Sequence, residues 1–486
     1  MPSGHSKPSP LYRWSWVLAV LLVAAALWAV ENYVVSPSTT TAKSAAARRR
    51  TRLHKLRVLG EKMLTPHARI QEPTPRPMPP NAPLARQLAP PSAQPSASER
   101  FFRGVAKVMT IAWDSNIFVW LPAISTDPNS GPTYGILPVL VLSDKVNHHI
   151  RHLFAPSLTY NETFGQTITG RYYFYPTDES QLYTTVSDST HINRTVKIRY
   201  QDTAFLDGRA FIRAEGYYDA DGSLRFFGIG PGTHSEAESG YVGRNKVIHA
   251  DMGVNFLRYC RASLGLRYRR MGIDSNIVSG IQDLATEFPT VPGLSEENTV
   301  VQEFHLLWDT RDSPVTPAQG SSGEIFFEKT SLAWGSDADY IRYGLEGKRF
   351  FPWMEGKQST VIHGLYDWVN GPNIPFYELA TLGGRETLRG YGDGRFTDQG
   401  RLLFNIEQRM LLTSLNLLGV ETRFEVGPFF DLGTVFPRPG AIQRKNFYGV
   451  TGGSFRAVVK PNVVGSVDVG VGKEGPAVYV GIDYPF

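Results

Sequence analysis

One arginine and two carboxylates have the types and spacing that point most clearly to a shared site. Arg389 lies in a glycine-rich stretch, within Leu388-Arg389-Gly390-Tyr391, and Glu407 and Asp431 follow on the polar faces of two later strand-like segments. A guanidinium can bind carboxylates through two parallel hydrogen bonds, which fixes geometry better than an ammonium does. The pattern predicts a loop that reaches into a polar barrel lumen rather than a catalytic centre.

The segments that would hold these side chains have the two-residue period of β-strands. Apolar and polar side chains alternate in residues 196–201, 248–256 and 260–268. Successive side chains of a strand point to opposite faces, so each segment has one apolar and one charged face. Many of the segments run for about 9–12 residues, the length that crosses a bilayer at a tilt.

The sequence therefore predicts an all-β fold, a transmembrane antiparallel β-barrel, because closure satisfies every backbone group inside lipid. The candidate strands are residues 133–143, 151–162, 165–176, 180–189, 193–202, 207–218, 247–257, 259–271, 299–309, 322–333, 340–351, 358–369, 401–411, 422–432, 448–459, 464–472 and 476–486. This count is odd, whereas bacterial barrels have even strand numbers, and the proline-containing 133–143 is the weakest candidate. Long connections near 219–246, 273–298 and 370–400 are expected to be extracellular loops.

The two ends of the chain predict export to an outer membrane. Residues 1–36 join basic residues to an apolar run, which predicts a signal peptide or signal anchor. Residues 37–104 are basic and proline-rich, which predicts a disordered periplasmic linker, and 105–486 remain for the barrel. At the C-terminus, Gly481, Tyr484 and Phe486 resemble the signal by which outer-membrane proteins are passed to the barrel assembly machinery.

Composition excludes several other classes of protein. A mean hydropathy of -0.22 excludes a bundle of many membrane-spanning helices, and 22 Tyr, 27 Phe and 9 Trp are compatible with aromatic girdles. The single cysteine, Cys260, excludes an intramolecular disulfide, and no metal-type Cys/His spacing occurs. The net charge of +5 comes largely from the region before residue 60, and no nucleic-acid-binding motif accompanies it. We therefore expect no nucleic acid, no metal and no cofactor.

Several motifs, in order, resemble the BamA/TamA/FhaC superfamily of outer-membrane barrels, also known as the bacterial surface antigen domain. They are Phe226-Phe227-Gly228-Ile229-Gly230, the turn from Asp309 to Gly320, Gly383-Gly384 through Tyr391, Asn405-Ile406-Glu407, and Phe429 to Val435. The resemblance covers residues 105–486. It implies about sixteen strands, a lumen loop whose Arg389 pairs with Glu407 and Asp431, and no cofactor. The segment before the barrel leaves no room for the POTRA modules that such proteins carry, so this chain resembles a short member.

The resemblance implies a function in inserting or translocating proteins, or lipids, at the outer membrane. Partners would be outer-membrane lipids, the assembly machinery during biogenesis, and a periplasmic or secreted client. Five glycines near the last strands would weaken the seam through which a client strand passes, namely Gly465, Gly470, Gly472, Gly475 and Gly481. The alternative is a passive channel or surface receptor with only an architectural likeness. An enzyme is not expected, because neither a Gly-x-Ser-x-Gly elbow nor a Ser/His/Asp arrangement is found.

Overall fold

The computed structural model describes residues 110–114, 116–144, 150–177, 179–314, 316–417, 420–459, 463–482 and 484–485. The expected signal segment (1–36) and linker (37–104) lie outside the described residues and stay predictions. Within the described ranges, no helix is both long and apolar enough to span a membrane.

Eighteen strands form one closed antiparallel sheet. They are β1 (Asn116–Asp127), β2 (Gly131–Ser143), β3 (Ile150–Phe154 and Ser157–Asn161), β4 (Gly165–Phe174), β5 (Ser180–Ser189), β6 (Arg194–Phe205), β7 (Ala210–Phe226), β8 (Ser239–Leu257), β9 (Cys260–Ser275), β10 (Glu297–Asp309), β11 (Gly320–Thr330), β12 (Tyr340–Trp353), β13 (Gln358–Asn370), β14 (Gly400–Leu417), β15 (Val420–Phe436), β16 (Tyr448–Val459), β17 (Val463–Gly472) and β18 (Gly475–Ile482). Each strand pairs with the next in chain order, and β18 returns to β1 through Thr126↔Val480.

The expectation of about sixteen strands is wrong, since the barrel has eighteen. Every candidate segment overlaps a barrel strand, including 133–143, whose Pro138 lies in β2 opposite Trp120 of β1. The strand that the sequence reading missed is β1. Residues 117–121 are apolar at every position and Pro122 follows, so β1 lacks the alternation that identified the other strands.

Side chains alternate between the outer surface and the lumen as the two-residue period requires. Met252 and Leu264 on the outer face are 66% and 68% exposed, as lipid-facing residues of an isolated chain would be. Asp251 and Glu303 face inward and are 5% and 6% exposed. The charged face of each strand therefore lines the lumen, and the apolar face meets lipid.

The strands meet in short turns at one end of the barrel, the turn end, and in longer connections at the other, the loop end. The predicted loop 219–246 is mostly strand, because β7 continues to Phe226 and β8 begins at Ser239. The long loops are residues 276–296 and 371–399. Both loops join a buried apolar cluster with the loop ends of β7 and β8, through Leu284, Phe376, Phe226 and Tyr241. This packing anchors the two loops to the barrel wall.

Candidate functional site

The 371–399 loop places the predicted arginine motif against lumen-facing strands. A small hairpin, Ala380–Leu382 paired with Phe396–Asp398, forms the base of the loop. Gly383 and Gly384 follow with φ of +121° and +83°, a left-handed conformation that side chains disfavour. A Cβ atom on Gly383 would lie 2.1 Å from the carbonyl oxygen of Gly392, so the tip can fold this tightly only with glycine there.

The guanidinium of Arg389 binds both predicted carboxylates. Its Nε and Nη2 donate to the two carboxylate oxygens of Asp431 at 3.0 and 2.8 Å, and its Nη1 donates to Glu407 at 2.7 Å. The Arg389 backbone N–H also donates to Asp431 at 3.2 Å, and the guanidinium lies 3.4 Å from the centre of the Phe429 ring. The resemblance implied this pairing, and the structure brings the three residues together.

Two further strands complete the network around Glu407. Arg456 on β16 donates to both Glu407 oxygens at 2.7 and 2.9 Å, and Arg409 donates at 2.9 Å. Arg456 also reaches Asp468 on β17 at 3.2 Å, and Asp468 lies 3.6 Å from Arg389. Sequence reasoning missed Arg456 and Asp468. The alternation of the two strands could have indicated them, since Arg456 and Asp468 lie on the polar faces of β16 and β17.

The centre of the network is buried. Three arginines meet three carboxylates there, and every one except Arg409, which is 4% exposed, is fully buried. A fourth arginine, Arg385, reaches Asp468 at 3.4 Å from the partly exposed edge of the network. The members of the centre are Arg389, Arg409, Arg456, Glu407, Asp431 and Asp468. Removing such charges from water is costly, so the arrangement fixes one position of the loop rather than adding much net stability. Among the described residues, no group of three or more His, Cys, Asp or Glu side chains is arranged to hold a metal ion.

Glycines let the loop backbone contact the wall directly. A Cβ atom on Gly390 would lie 2.7 Å from the backbone nitrogen of Gly472, and one on Gly470 would lie 2.3 Å from the Arg389 carbonyl oxygen. A Cβ on Gly472 would be 2.8 Å from the Tyr391 ring. Gly470 and Gly472 were expected to weaken the seam. The contacts give another explanation for glycine at these two positions: the backbone of the loop approaches them closely.

The residues beside Arg389 pack into an apolar cluster. Leu388 and Tyr391 are 0% and 2% exposed and lie in a cluster that also contains Phe396 and Val450. The Tyr391 hydroxyl accepts a hydrogen bond from the Lys473 backbone N–H at 3.0 Å. All four residues of the motif thus contribute to docking. Leu388 and Tyr391 bury apolar surface, Arg389 forms ion pairs with Asp431 and Glu407, and Gly390 has no side chain that would clash with the wall.

The C-terminal residues depart from the expected strand. β18 ends at Ile482 rather than 486, and the Tyr484 side chain turns into the lumen. Its hydroxyl donates to Glu425 at 3.1 Å and the Arg409 guanidinium lies 3.8 Å from its ring centre. Gly481 lies in β18 with Arg385 beside it, and Phe486 is outside the described residues. The assembly-signal role of Gly481, Tyr484 and Phe486 stays a prediction.

Burial raises the pKa of Asp398, in the loop hairpin, from 3.8 to about 6, although its hydrogen bond from the Gln399 N–H acts in the opposite direction. The docked loop then binds this proton more tightly than the unfolded chain does. Protonated Asp398 therefore contributes to the stability of the fold below about pH 4, and this contribution is lost as the pH rises through about 6. We expect Asp398→Asn to raise the temperature of the gel heat shift more at about pH 7.5 than at about pH 4.5. An equal shift at both pH values would contradict the assignment.

Comparison with known proteins identifies the family. A family model described as the Omp85 superfamily domain matches residues 180–482, well over half of the chain. The chain belongs to the Omp85 superfamily. The expected membership of the BamA/TamA/FhaC group is therefore confirmed. This Omp85 barrel lies in the outer membrane of a Gram-negative bacterium, with the turn end facing the periplasm.

Three solved structures illustrate what the chain is similar to. BamA from Haemophilus ducreyi lacking POTRA domains 1–3 is 14% identical, with a TM-score of 0.46 over 75% of this chain and 74% of that one. CdiB from Escherichia coli is 10% identical, with a TM-score of 0.47 over 72% and 67%. CdiB from Acinetobacter baumannii is 12% identical, with a TM-score of 0.36 over 76% and 59%. No curated protein sequence matches the chain.

Proposed function

We propose that this Omp85 barrel inserts or translocates other proteins, or lipids, at the outer membrane through the seam between β1 and β18. The proposal is supported by the sparse pairing between these two strands. Among the described residues, Thr126↔Val480 is the one residue pair between them. On its other edge, β18 pairs with β17 along its whole length, from Gly465↔Ile482 to Gly472↔Gly475.

An open edge of β1 can accept a strand from another chain. Backbone hydrogen bonds would give affinity, and the alternating side chains of the incoming strand would give specificity. A periplasmic or secreted client with an extended, alternating segment fits this chemistry. Outer-membrane lipids would contact the opening, and the basic, proline-rich linker would recruit the client from the periplasm. No enzymatic step is involved.

The filled lumen favours this function over a passive channel or receptor. The 371–399 loop carries Arg389 into a buried network, and Arg395 of the same loop pairs with Glu474 at 2.6 Å. We infer that a loop held in the lumen by these ion pairs obstructs the passage of solutes along the axis. Passage through the wall leaves them intact, so the loop can stay docked while the seam works.

The proposal is tested by comparing cells with and without the protein. Quantitative mass spectrometry of outer-membrane and secreted fractions is expected to show selective loss of one or a few proteins, restored by complementation. The purified barrel in a planar bilayer is expected to show no steady open conductance. An unchanged protein inventory together with a stable open current would contradict the proposal and favour the channel.

A further inference from the structure

The periplasmic part of the β1 edge is already covered by a segment of this chain. A short strand, Thr110–Trp113, pairs with the start of β1 from Thr110↔Val119 to Trp113↔Asn116. A strand has two edges, and β2 occupies one edge of β1 from Ile117 to Asp127. The short strand therefore lies on the other edge, which is also the edge that β18 meets at Thr126.

The two segments meet the same edge of β1 at different positions. β18 pairs at Thr126, and continuing its register would place Ile482, its last residue, opposite Ile124. The short strand begins its pairing at Val119, so residues 120–123 of β1 lie between the two segments. A strand added at the seam would thus meet the short strand as soon as it extended past Trp120.

The short strand has the side-chain character of barrel wall. Ile111 and Trp113 are 59% and 43% exposed, and they are paired with Phe118 and Asn116 of β1. Ile111, Trp113 and the 46% exposed Trp120 form an apolar, aromatic outer surface near the periplasmic boundary. Such residues suit the membrane interface, so the segment occupies a wall position rather than lying loose in the periplasm.

We propose that Thr110–Trp113 is an internal competitor that caps the β1 edge and must be displaced before a client strand can pair along the whole of β1. The inference rests on the proposed function of the seam. A two-stranded hairpin of this length is marginally stable by itself, so displacement by a longer strand is feasible. Thr110 lies six positions after the end of the predicted linker at residue 104. A partner that binds the linker would therefore act on the cap.

Proline substitutions at adjacent positions separate pairing from other effects. In a two-residue hairpin, the pair that closes the turn is hydrogen-bonded and alternate pairs follow the same rule. The Ile111 N–H is therefore directed at β1, whereas the Ala112 N–H points away from it. Ile111→Pro should open the cap, and Ala112→Pro is the matched control. An Ala112→Cys/Ile117→Cys disulfide in a Cys260→Ser background should hold it closed, since these residues pair directly.

The probe is a fluorescent synthetic peptide of residues 475–486 extended at its C-terminus by Thr-Val-Thr-Val. In the β18 register these four added residues would lie opposite residues 119–116 of β1, the stretch that the short strand covers. Binding to the purified full chain is measured by anisotropy, after a gel heat shift has confirmed folding of each variant. Ile111→Pro is expected to bind the peptide several-fold more tightly than wild type and Ala112→Pro. The oxidised disulfide variant is expected to bind more weakly and to recover on reduction. Equal binding by the proline variants and by both redox forms would overturn the cap.

Failure of the proposed cap and failure of the proposed assembly function would give different results. If no client depends on the protein but peptide binding follows the state of the hairpin, the cap stands and the assembly role falls. If clients are inserted equally well with the hairpin open and locked, the cap falls and the assembly role stands.

Discussion

Arg389→Ala is expected to destabilise the folded barrel by about 3–5 kcal/mol, the range for a buried ion pair that loses one partner. Asp431 loses two side-chain hydrogen bonds and keeps only neutral partners such as Asn405, at 2.8 Å. Glu407 keeps Arg456 and Arg409, so Asp431 accounts for most of the loss. Urea unfolding, followed by the fraction that still shows a gel heat shift, measures the change.

Two variants test the physical reason for that loss. Arg270 pairs with Glu296 in an ion pair of which the two side chains are 45% and 40% exposed, so Arg270→Ala should cost no more than about 1 kcal/mol. Arg389→Lys keeps the charge but loses the fork of parallel hydrogen bonds, and should fall between wild type and Arg389→Ala. If Arg389→Ala and Arg270→Ala destabilise the barrel equally, the buried network is not what holds the loop.

Gly470→Ala is expected to destabilise the docked loop by about 1–3 kcal/mol, as overpacking of a close contact does. The new Cβ would lie 2.3 Å from the Arg389 carbonyl oxygen and 2.6 Å from its carbonyl carbon. These are backbone atoms, so the loop must move as a whole. We expect faster proteolysis within 371–399 and a lower urea midpoint.

Gly465→Ala is the matched control, because it lies in the same strand and an added Cβ would have nothing within 4 Å. It should leave proteolysis of the loop unchanged. Equal effects of the two substitutions would mean that glycine acts here through strand propensity, and the close-approach explanation would be wrong.

The strands could be predicted where one face is apolar and the other charged, as in 248–256 and 260–268. β1 could not, since its apolar residues lie on both faces and Pro122 interrupts them. Even the neighbouring Pro138 was misleading, because proline is tolerated in β2 opposite Trp120. Barrel closure therefore needed information beyond local periodicity.

Two features of the sequence made part of the site predictable: the alternation of residues along each strand and the order of the motifs. The spacing of Glu407 and Asp431 places both on lumen faces, and the glycine-rich loop suggested insertion. The pairing of Arg456 with Glu407 depends on the relative register of strands that are distant in sequence, and so does the approach of Gly470 to Arg389. Tyr484 leaves the alternation of β18 because Glu425 and Arg409 bind it in the lumen, a tertiary contact without a local signal.

The seam itself gives the most direct test of the proposed function. Thr126 and Val480 pair across it, and Thr126→Cys/Val480→Cys in a Cys260→Ser background can lock it with a disulfide. Val469→Cys/Val478→Cys joins β17 to β18, which are already fully paired, and is the control. The measurement is insertion or export of a client identified from the protein inventories, by oxidised and reduced protein in the same vesicles. We expect that oxidation of the seam variant abolishes client transfer, that reduction restores it, and that the control transfers clients in both states. Undiminished transfer with the seam locked would contradict the proposed function.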